Sequence, residues 1–272
     1  VLNFRSRFHL SLSMNISSII AFLERFAPPH LAEEWDNVGL LVGDRTRDVR
    51  KVMTCLTITP ASAAEAVGEG ADLIVAHHPL PFSAVKRITA DSVVGRLLLD
   101  LIAARIAVYS PHTAFDSAPE GINERLARGL GLREVAPLKL HAEGDGSGRF
   151  GKLDPPLALA ELGAKLKDFL SIPRLQVVGD AKTIVRQAAV ACGAAGEFLP
   201  LAVEHGCDCL VVGETRFHTC LEAEALGIAL LMPGHFASER FALECLAVVL
   251  SEEFPDLQIW PSRREEDPIR WG

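Results

Sequence analysis

The strongest constraint in this sequence is a pattern that occurs twice. Short aliphatic runs alternate with helical stretches, and GADLIVAHH (70–78) matches GCDCLVVGE (206–214) without a gap. AVYSPH (107–112) lines up with LLMPGH (230–235) if one residue is inserted. Each series reads helix, Gly-x-Asp, apolar strand, polar tip, helix, apolar strand, Pro, His. Aliphatic runs of this length between helices call for a parallel sheet covered by helices. Several matches in one order make an internal duplication the simplest account. The expected fold class is therefore α/β, with two related α/β lobes facing each other across a cleft. Ligands of open α/β sheets bind outside the strand C-termini, and the histidines of this chain gather there.

The pattern sets provisional boundaries. Apolar positions at helical spacing begin after Asn15, a good N-cap, and open a first lobe over 14–140. Residues 141–156 (HAEGDGSGRFGKLDPP) lose all periodicity and read as a linker or lid. The second lobe spans 157–272. Residues 1–13 stand apart as an N-terminal extension, because Arg5, Arg7 and His9 make the stretch too polar for a secretory core. A transit-type segment is the lesser alternative.

Composition narrows the partners. With 272 residues, 49% of them hydrophobic, the chain can bury a large core. A net charge of −8 without a run of Lys or Arg argues against nucleic acid as the partner, although a local basic patch is compatible with it. No run approaches the roughly 20 apolar residues of a membrane helix. Six cysteines lack any C-x-x-C pair, and most lie among aliphatic residues. They read as buried small hydrophobes in a reducing, cytoplasmic setting. Cys207 and Cys209, alternating on a strand, are open to a metal or redox reading as well.

Three sites carry candidate chemistry. His77 and His78 leave an aliphatic strand before Pro79; adjacent residues there point apart, so each can serve a different ion, and a plain turn is the alternative. Asp116 ends SPHTAFD and suits either a bridging carboxylate or a helix cap. His235 and Glu239, four apart at the start of a long helix, share one face; an ordinary surface hydrogen bond would also explain them. Together these residues offer three imidazoles and two carboxylates at strand ends of facing lobes. Two cations about 3.5–4 Å apart need such a set. Mixed nitrogen and oxygen donors suit Zn, Fe, Mn, Co or Ni better than Mg or Ca.

Around them stand possible catalytic and substrate residues. Glu214 and His218 form a second i, i+4 pair at a strand tip and read equally as acid–base groups or a capped helix start. His112 and Thr113 share the Asp116 loop and are placed to contact substrate. Asp36 and Asn37, after Trp35, either line the cleft or form a turn.

LAEEWDNVGLLVGD (31–44), ADLIVAHHPLPF (71–82), SPHTAFD (110–116), ETRFH (214–218) and PGHFASE (233–239) resemble the NIF-three-like family, also described as GTP cyclohydrolase I type 2 homologs. The resemblance runs from about Met14 to nearly the end. It implies paired α/β lobes, a toroidal homohexamer and a dinuclear metal site held by His77, His78, Asp116, His235 and Glu239. Two departures stand out. Ala114 replaces an Asn of the family's His-Thr-Asn-x-Asp loop, and Phe236-Ala237-Ser238-Glu239 replaces Tyr-Ala-Thr-Glu. The chain is too short for the large domain some relatives insert between the lobes.

The leading expectation is a metal-dependent hydrolase binding two divalent ions, with Glu214, His218 or His112 moving protons. Asp36, Asn37 and Thr113 are the expected substrate contacts. The substrate is a small molecule, with a nucleotide or phosphoester in view, although no Gly-rich phosphate cradle supports a nucleotide. The rival expectation is a metal-binding scaffold or metal-handling protein without turnover.

Overall fold

A computed structural model describes residues 14–141 and 146–270. The extension expected over 1–13 lies outside the described residues. The first series comprises α1 (Ile16–Phe26), β1 (Gly39–Val42), β2 (Lys51–Cys55), α2 (Pro60–Glu69), β3 (Leu73–Ala76), α3 (Val93–Ala103) and β4 (Ala107–Ser110). Two short helices follow, α4 (His112–Ser117) and α5 (Ile122–Gly129), then strands β5 (Arg133–Ala136), β6 (Lys139–Leu140), β7 (Gly146–Ser147) and β8 (Arg149–Ala158). The second series comprises α6 (Leu159–Leu170), β9 (Gln176–Val178), β10 (Ile184–Ala191), α7 (Leu199–Glu204), β11 (Cys209–Val212), α8 (Phe217–Leu226) and β12 (Ala229–Met232). The chain closes with α9 (His235–Glu253) and β13 (Gln258–Pro261).

Local rules account for most of these elements. The Asn15 side chain caps α1 by accepting from Ser18 N–H, and Ile16, Ile19, Ile20 and Leu23 form its buried stripe. Thr59 and Ser62 make a reciprocal capping box on α2, with Pro60 in its first turn and the left-handed Gly70 closing it. Strands β3, β4, β11 and β12 are buried at every position, as parallel strands covered on both faces must be.

The strands form a five-stranded sheet in the order β1-β4-β3-β2-β13 and a six-stranded sheet in the order β5-β8-β10-β11-β12-β9. In the first, β2, β3 and β4 run parallel and β1 lies antiparallel on β4. In the second, β10, β11 and β12 run parallel and β9 lies antiparallel on β12. The order 1-4-3-2 therefore returns as 9-12-11-10. The likeness reaches single hydrogen bonds. Asp72 accepts the N–H groups of Arg50 and Lys51 at 2.8 and 3.1 Å, and Asp208 accepts those of Arg186 and Gln187 at 2.7 and 3.1 Å. The Gly-x-Asp signature thus has a physical job in both places: its carboxylate ties the neighbouring strand's start to its own.

One expectation is corrected. Within the span 141–156 expected as a linker or lid, residues 142–145 lie outside the described residues, residues 146–147 form β7, and residues 149–156 belong to β8, which pairs with β5 on one side and β10 on the other. Its glycines serve close strand approach rather than freedom: a Cβ on Gly151 would lie 2.7 Å from the Arg133 carbonyl oxygen. Pro155 and Pro156 fall where the β8–β10 register shifts, a part of a ladder that tolerates a missing N–H.

The expected partition at 140 and 157 is also crossed twice. Strand β5, from the first span, joins the second sheet, and β13, from the second, pairs with β2 in the first. Helix α9 packs against β2 and β13 and also meets α5 and α6. Its Leu243, Leu246 and Leu250 belong to the core that contains Ile16, Leu73, Val190 and Leu231, elements of both sheets. The two strand-end tips are thereby fixed against one another.

Candidate metal centre

The C-terminal ends of β3, β4, β10 and β12 deliver the site. His77 and His78 follow β3 and continue its pairing, with N–H groups donating to the carbonyls of Cys55 and Leu56 at 3.0 and 2.8 Å. The Ser110 hydroxyl donates to the His77 carbonyl at 2.6 Å. The two imidazoles diverge as strand geometry requires. His77 is fully buried and His78 partly exposed, their rings 5.1 Å apart and tilted by 51°.

Asp116 arrives on α4 rather than in a loop. Asn123 clamps that helix by donating to the Asp116 carbonyl at 3.1 Å while accepting from Cys192 N–H at 2.8 Å. Arg149, buried at the start of β8, donates to the carbonyls of Ser117 and Ala118. His235 and Glu239 occupy the first turns of α9, one face of the helix, after Gly234 at φ +101°. The Ser238 hydroxyl donates to the His235 carbonyl at 2.8 Å and accepts from Gly193 N–H at 3.0 Å.

Donor atoms converge in the middle. His77 Nε2 lies 3.5 Å from Asp116 Oδ1 and 3.9 Å from Glu239 Oε2. Glu239 Oε2 is 3.2 Å from His78 Nε2 and 3.1 Å from His235 Nε2, and those two nitrogens are 3.3 Å apart. Three groups each bring their ligand atoms within 4.8 Å: His77, His78 and His112; His78, His235 and Glu239; His77, Asp116 and Glu239. Both ring nitrogens of His77 and Oε2 of Glu239 are buried and make no hydrogen bond. Orphaned buried polar atoms cost free energy, and the lone pairs of His77 Nε2 and Glu239 Oε2, 3.9 Å apart, are what a cation satisfies. The residues fit divalent metal.

Electrostatics reinforce this picture. Burial pushes His77 well below the usual imidazole range, so it is neutral and free to ligate. Burial, joined by the neighbouring Glu239 carboxylate, raises Asp116. Burial also works against ionisation of Glu239, but His235 and His78 beside it outweigh that and hold it below the usual carboxylate range. The Glu239 carboxylate, helped by Glu214, lifts His235 to about 9. Two carboxylates facing one imidazole attract positive charge, whether proton or metal.

The remaining expected residues divide sharply. His112 lines the cleft, and its Nδ1 is 2.7 Å from Asp36 Oδ1. Asp36, expected as a substrate contact, is instead enclosed: its carboxylate accepts from Thr113 N–H and from the Thr113 hydroxyl as well. Burial disfavours its charge, yet the bonds from His112 and Thr113 prevail and draw it down to about 2. Thr113 lines the cavity, while its hydroxyl donates to Asp36 and accepts from Glu33 N–H. Asn37 donates to the Pro81 carbonyl at 2.9 Å. Both Asp36 oxygens are satisfied internally, so these residues support His112. Glu214, half exposed, meets His235 Nδ1 at 3.0 Å. His218 is exposed on α8, outside the cluster, because the i, i+4 pairing with Glu214 fails where α8 begins only at Phe217.

Pattern reading missed three supports. Cys192, at the end of β10, donates its thiol to Asp116 Oδ1 at 3.1 Å. Thr57 Oγ1 lies 2.6 Å from His78 Nδ1. A Cβ on Gly193 would lie 2.3 Å from Glu239 Oε1. The signal for the first and third was available, since Cys192-Gly193 follows a strand of the second series. Cys192 and Gly193 border a cavity of about 620 Å3 lined also by Trp35, Phe82, Lys139 and Phe198.

Comparison with known proteins agrees with the fold and the motif order. The family model described as Duf34/NIF3 (NGG1p interacting factor 3) matches residues 14–268. A Clostridium perfringens protein named GTP cyclohydrolase 1 type 2 homolog is 32% identical over 95% of this chain and 100% of its own. A Schizosaccharomyces pombe protein named NIF3 homolog is also 32% identical, over 94% of this chain and 98% of its own. Among solved structures, reduced HcgD from Methanocaldococcus jannaschii superimposes with a TM-score of 0.81 at 28% identity, over 92% of this chain and 98% of that one. A Bacillus cereus protein related to NIF3 gives a TM-score of 0.87 at 22% identity over 96% and 100%.

Proposed function

The chain belongs to the Duf34/NIF3 family, and from that premise we propose that it is a dinuclear metal-dependent hydrolase acting on a small molecule. The observation that carries this reading is the set of orphaned, buried donor atoms on His77 and Glu239. Glu239 is the shared ligand in this proposal. His77 and Asp116 complete one ion's set, and His78 and His235 complete the other's. The ions are drawn from Zn, Fe, Mn, Co and Ni, which accept mixed imidazole and carboxylate donors. When bound, such a pair supplies Lewis acidity to water and to the bond under attack.

The protein's own residues supply the rest. Asp36 takes the Nδ1 proton of His112 into a hydrogen bond, which leaves the opposite ring nitrogen facing the cleft as proton acceptor or donor. Glu214 fixes the His235 ring from Nδ1, so that Nε2 points into the cluster. The cavity volume suits a ligand of drug or nucleotide size, and the substrate class proposed is a phosphoester, with nucleotides included. The two series, alike in strand order and in the Asp72 and Asp208 bonds, are proposed as an internal duplication whose cleft holds the metals. A cytoplasmic location and a homohexameric assembly complete the proposal; no helix among the described residues is long and apolar enough to cross a membrane.

The test is metal analysis of loaded protein followed by a hydrolysis screen on nucleotides and generic phosphoesters. Two ions per chain, with turnover abolished in Asp116→Ala and His235→Ala, is the expected result. Turnover undiminished in both variants would sink the hydrolase reading. Two tightly held ions without any turnover would favour a metal-handling scaffold instead.

A further inference from the structure

The segment that follows β13 returns to the site from outside it. Glu65, on α2, fastens its beginning by accepting from the Ser262 hydroxyl at 2.7 Å and from the N–H groups of Arg263 and Arg264 at 3.0 Å. The chain then turns inward. Glu265, its side chain only 2% exposed, accepts Leu56 N–H at 2.9 Å and Thr57 N–H at 2.5 Å. The same carboxylate pairs with Arg240 Nε at 2.8 Å, and Arg240 donates to the Ser262 carbonyl at 2.9 Å.

Each of those partners adjoins a residue of the cluster. Thr57 holds His78 Nδ1 at 2.6 Å, and Arg240 follows Glu239 directly on α9. For His78 Nε2 to offer a lone pair to a cation, Nδ1 must carry the proton and donate it to the Thr57 hydroxyl oxygen. That hydroxyl is placed by its backbone, and its backbone N–H is held by Glu265. We propose that Glu265 is a positioning residue for the metal centre: through Thr57 it fixes the direction of the His78 ring, and through Arg240 it fixes the turn of α9 that presents Glu239. The C-terminal segment is thereby a built-in strap that ties the loop after β2 to α9, and metal affinity depends on it.

Burial and chemistry support the assignment. A carboxylate this enclosed is retained at the cost of desolvation. A stabilising role alone is served more cheaply by an apolar residue, whereas two adjacent backbone N–H groups and a guanidinium require an anion with two acceptor oxygens.

The inference rests on the metal reading above, and its test separates the two. Cobalt(II) is added to metal-free protein; chelator competition gives the affinity, visible absorption reports the ligand field, and the melting temperature of the metal-free protein is followed alongside. Parent protein is expected to bind cobalt with a structured visible spectrum. Glu265→Gln presents an amide N–H2 to one backbone donor, and is expected to lower the affinity of one ion about 10- to 100-fold and to change the spectrum. Thr57→Val is expected to do the same while Glu265 stays in place, and Thr57→Ser to restore both readouts. A changed cobalt spectrum in Glu265→Gln, with the metal-free melting temperature near the parent's, is the outcome a merely structural Glu265 does not produce. Parent-like cobalt affinity and spectrum in both Glu265→Gln and Thr57→Val would overturn the strap, even with lower melting temperatures. If Glu265→Gln does not fold, the Thr57 pair decides by the same criteria. Parent protein that binds no cobalt would overturn the metal reading itself, and the strap with it.

Discussion

Gly193 forms the wall against which the Glu239 carboxylate rests: a Cβ there would stand 2.3 Å from Oε1, and the backbone holds φ at +67°. Both facts exclude a side chain. The Cβ would collide with the Glu239 carboxylate, and an L-residue in the left-handed region costs on the order of 1–2 kcal/mol. Gly193→Ala is therefore expected to fold with a melting temperature a few degrees lower and to bind fewer than two ions per chain. Elemental analysis of metal-loaded variant and parent checks this, and full occupancy in the variant would refute it.

The ligand sets make unequal predictions. Glu239→Gln removes the carboxylate common to two donor groups and should abolish binding of both ions. Asp116→Asn and His235→Ala each touch one group and should leave one ion bound. Titration with zinc under competition reads the stoichiometry, and equal losses in all three variants would contradict a shared Glu239.

Metal removal should expose the cost of the cluster. Native-state binding stabilises by about 4 kcal/mol when free metal exceeds Kd a thousandfold. Chelated protein is expected to melt well below loaded protein, and the difference should shrink in His77→Ala, which removes the buried nitrogens that have no other partner. Calorimetric scans with and without chelator supply the comparison.

Asp36 predicts a pH dependence. Hydrogen bonds from His112 and Thr113, against burial, depress its pKa from 3.8 to about 2. A depressed carboxyl contributes stability that is full above the unfolded value of 3.8 and lost as pH falls through the folded value of about 2. Asp36→Asn should thus cost on the order of 2 kcal/mol at neutral pH, with the gap from the parent closing towards pH 2. Urea melts across that range give the answer, and a gap independent of pH would assign the loss to packing.

The paired aspartates offer a control remote from the chemistry. Asp72→Ala and Asp208→Ala each strip the acceptor from two backbone N–H groups. Each is expected to lose about 1–3 kcal/mol of stability, by similar amounts, with metal stoichiometry unchanged.

Much of the fold was legible because local rules and tertiary packing agree. Buried parallel strands are aliphatic throughout, as DLIVA and CLVVG are, and helices announce themselves by caps such as Asn15 and Thr59. The failures share one cause. In 148–156 glycine and proline read as punctuation, yet glycine there admits a neighbouring strand and proline occupies a register shift. Asp36 read as a cleft residue because polarity near a motif is visible in sequence, whereas the partners that consume it, His112 and Thr113, are not. His218 read as a pair with Glu214 because the helix start cannot be fixed to one residue.

The sequence by itself determined the family, the alternation of strand and helix, and the tips where His77, His78, Asp116, His235 and Glu239 stand, because those follow from period, caps and the order of motifs along one chain. Only the tertiary structure decided that the first tip meets both the second and the third within 4 Å. It alone placed β13 in the first sheet and β5 in the second, and it alone found the supports Thr57, Cys192 and Glu265. These are contacts between residues as far as 209 positions apart. They depend on how two sheets pack across α9, and such distances leave no periodic trace in a linear pattern.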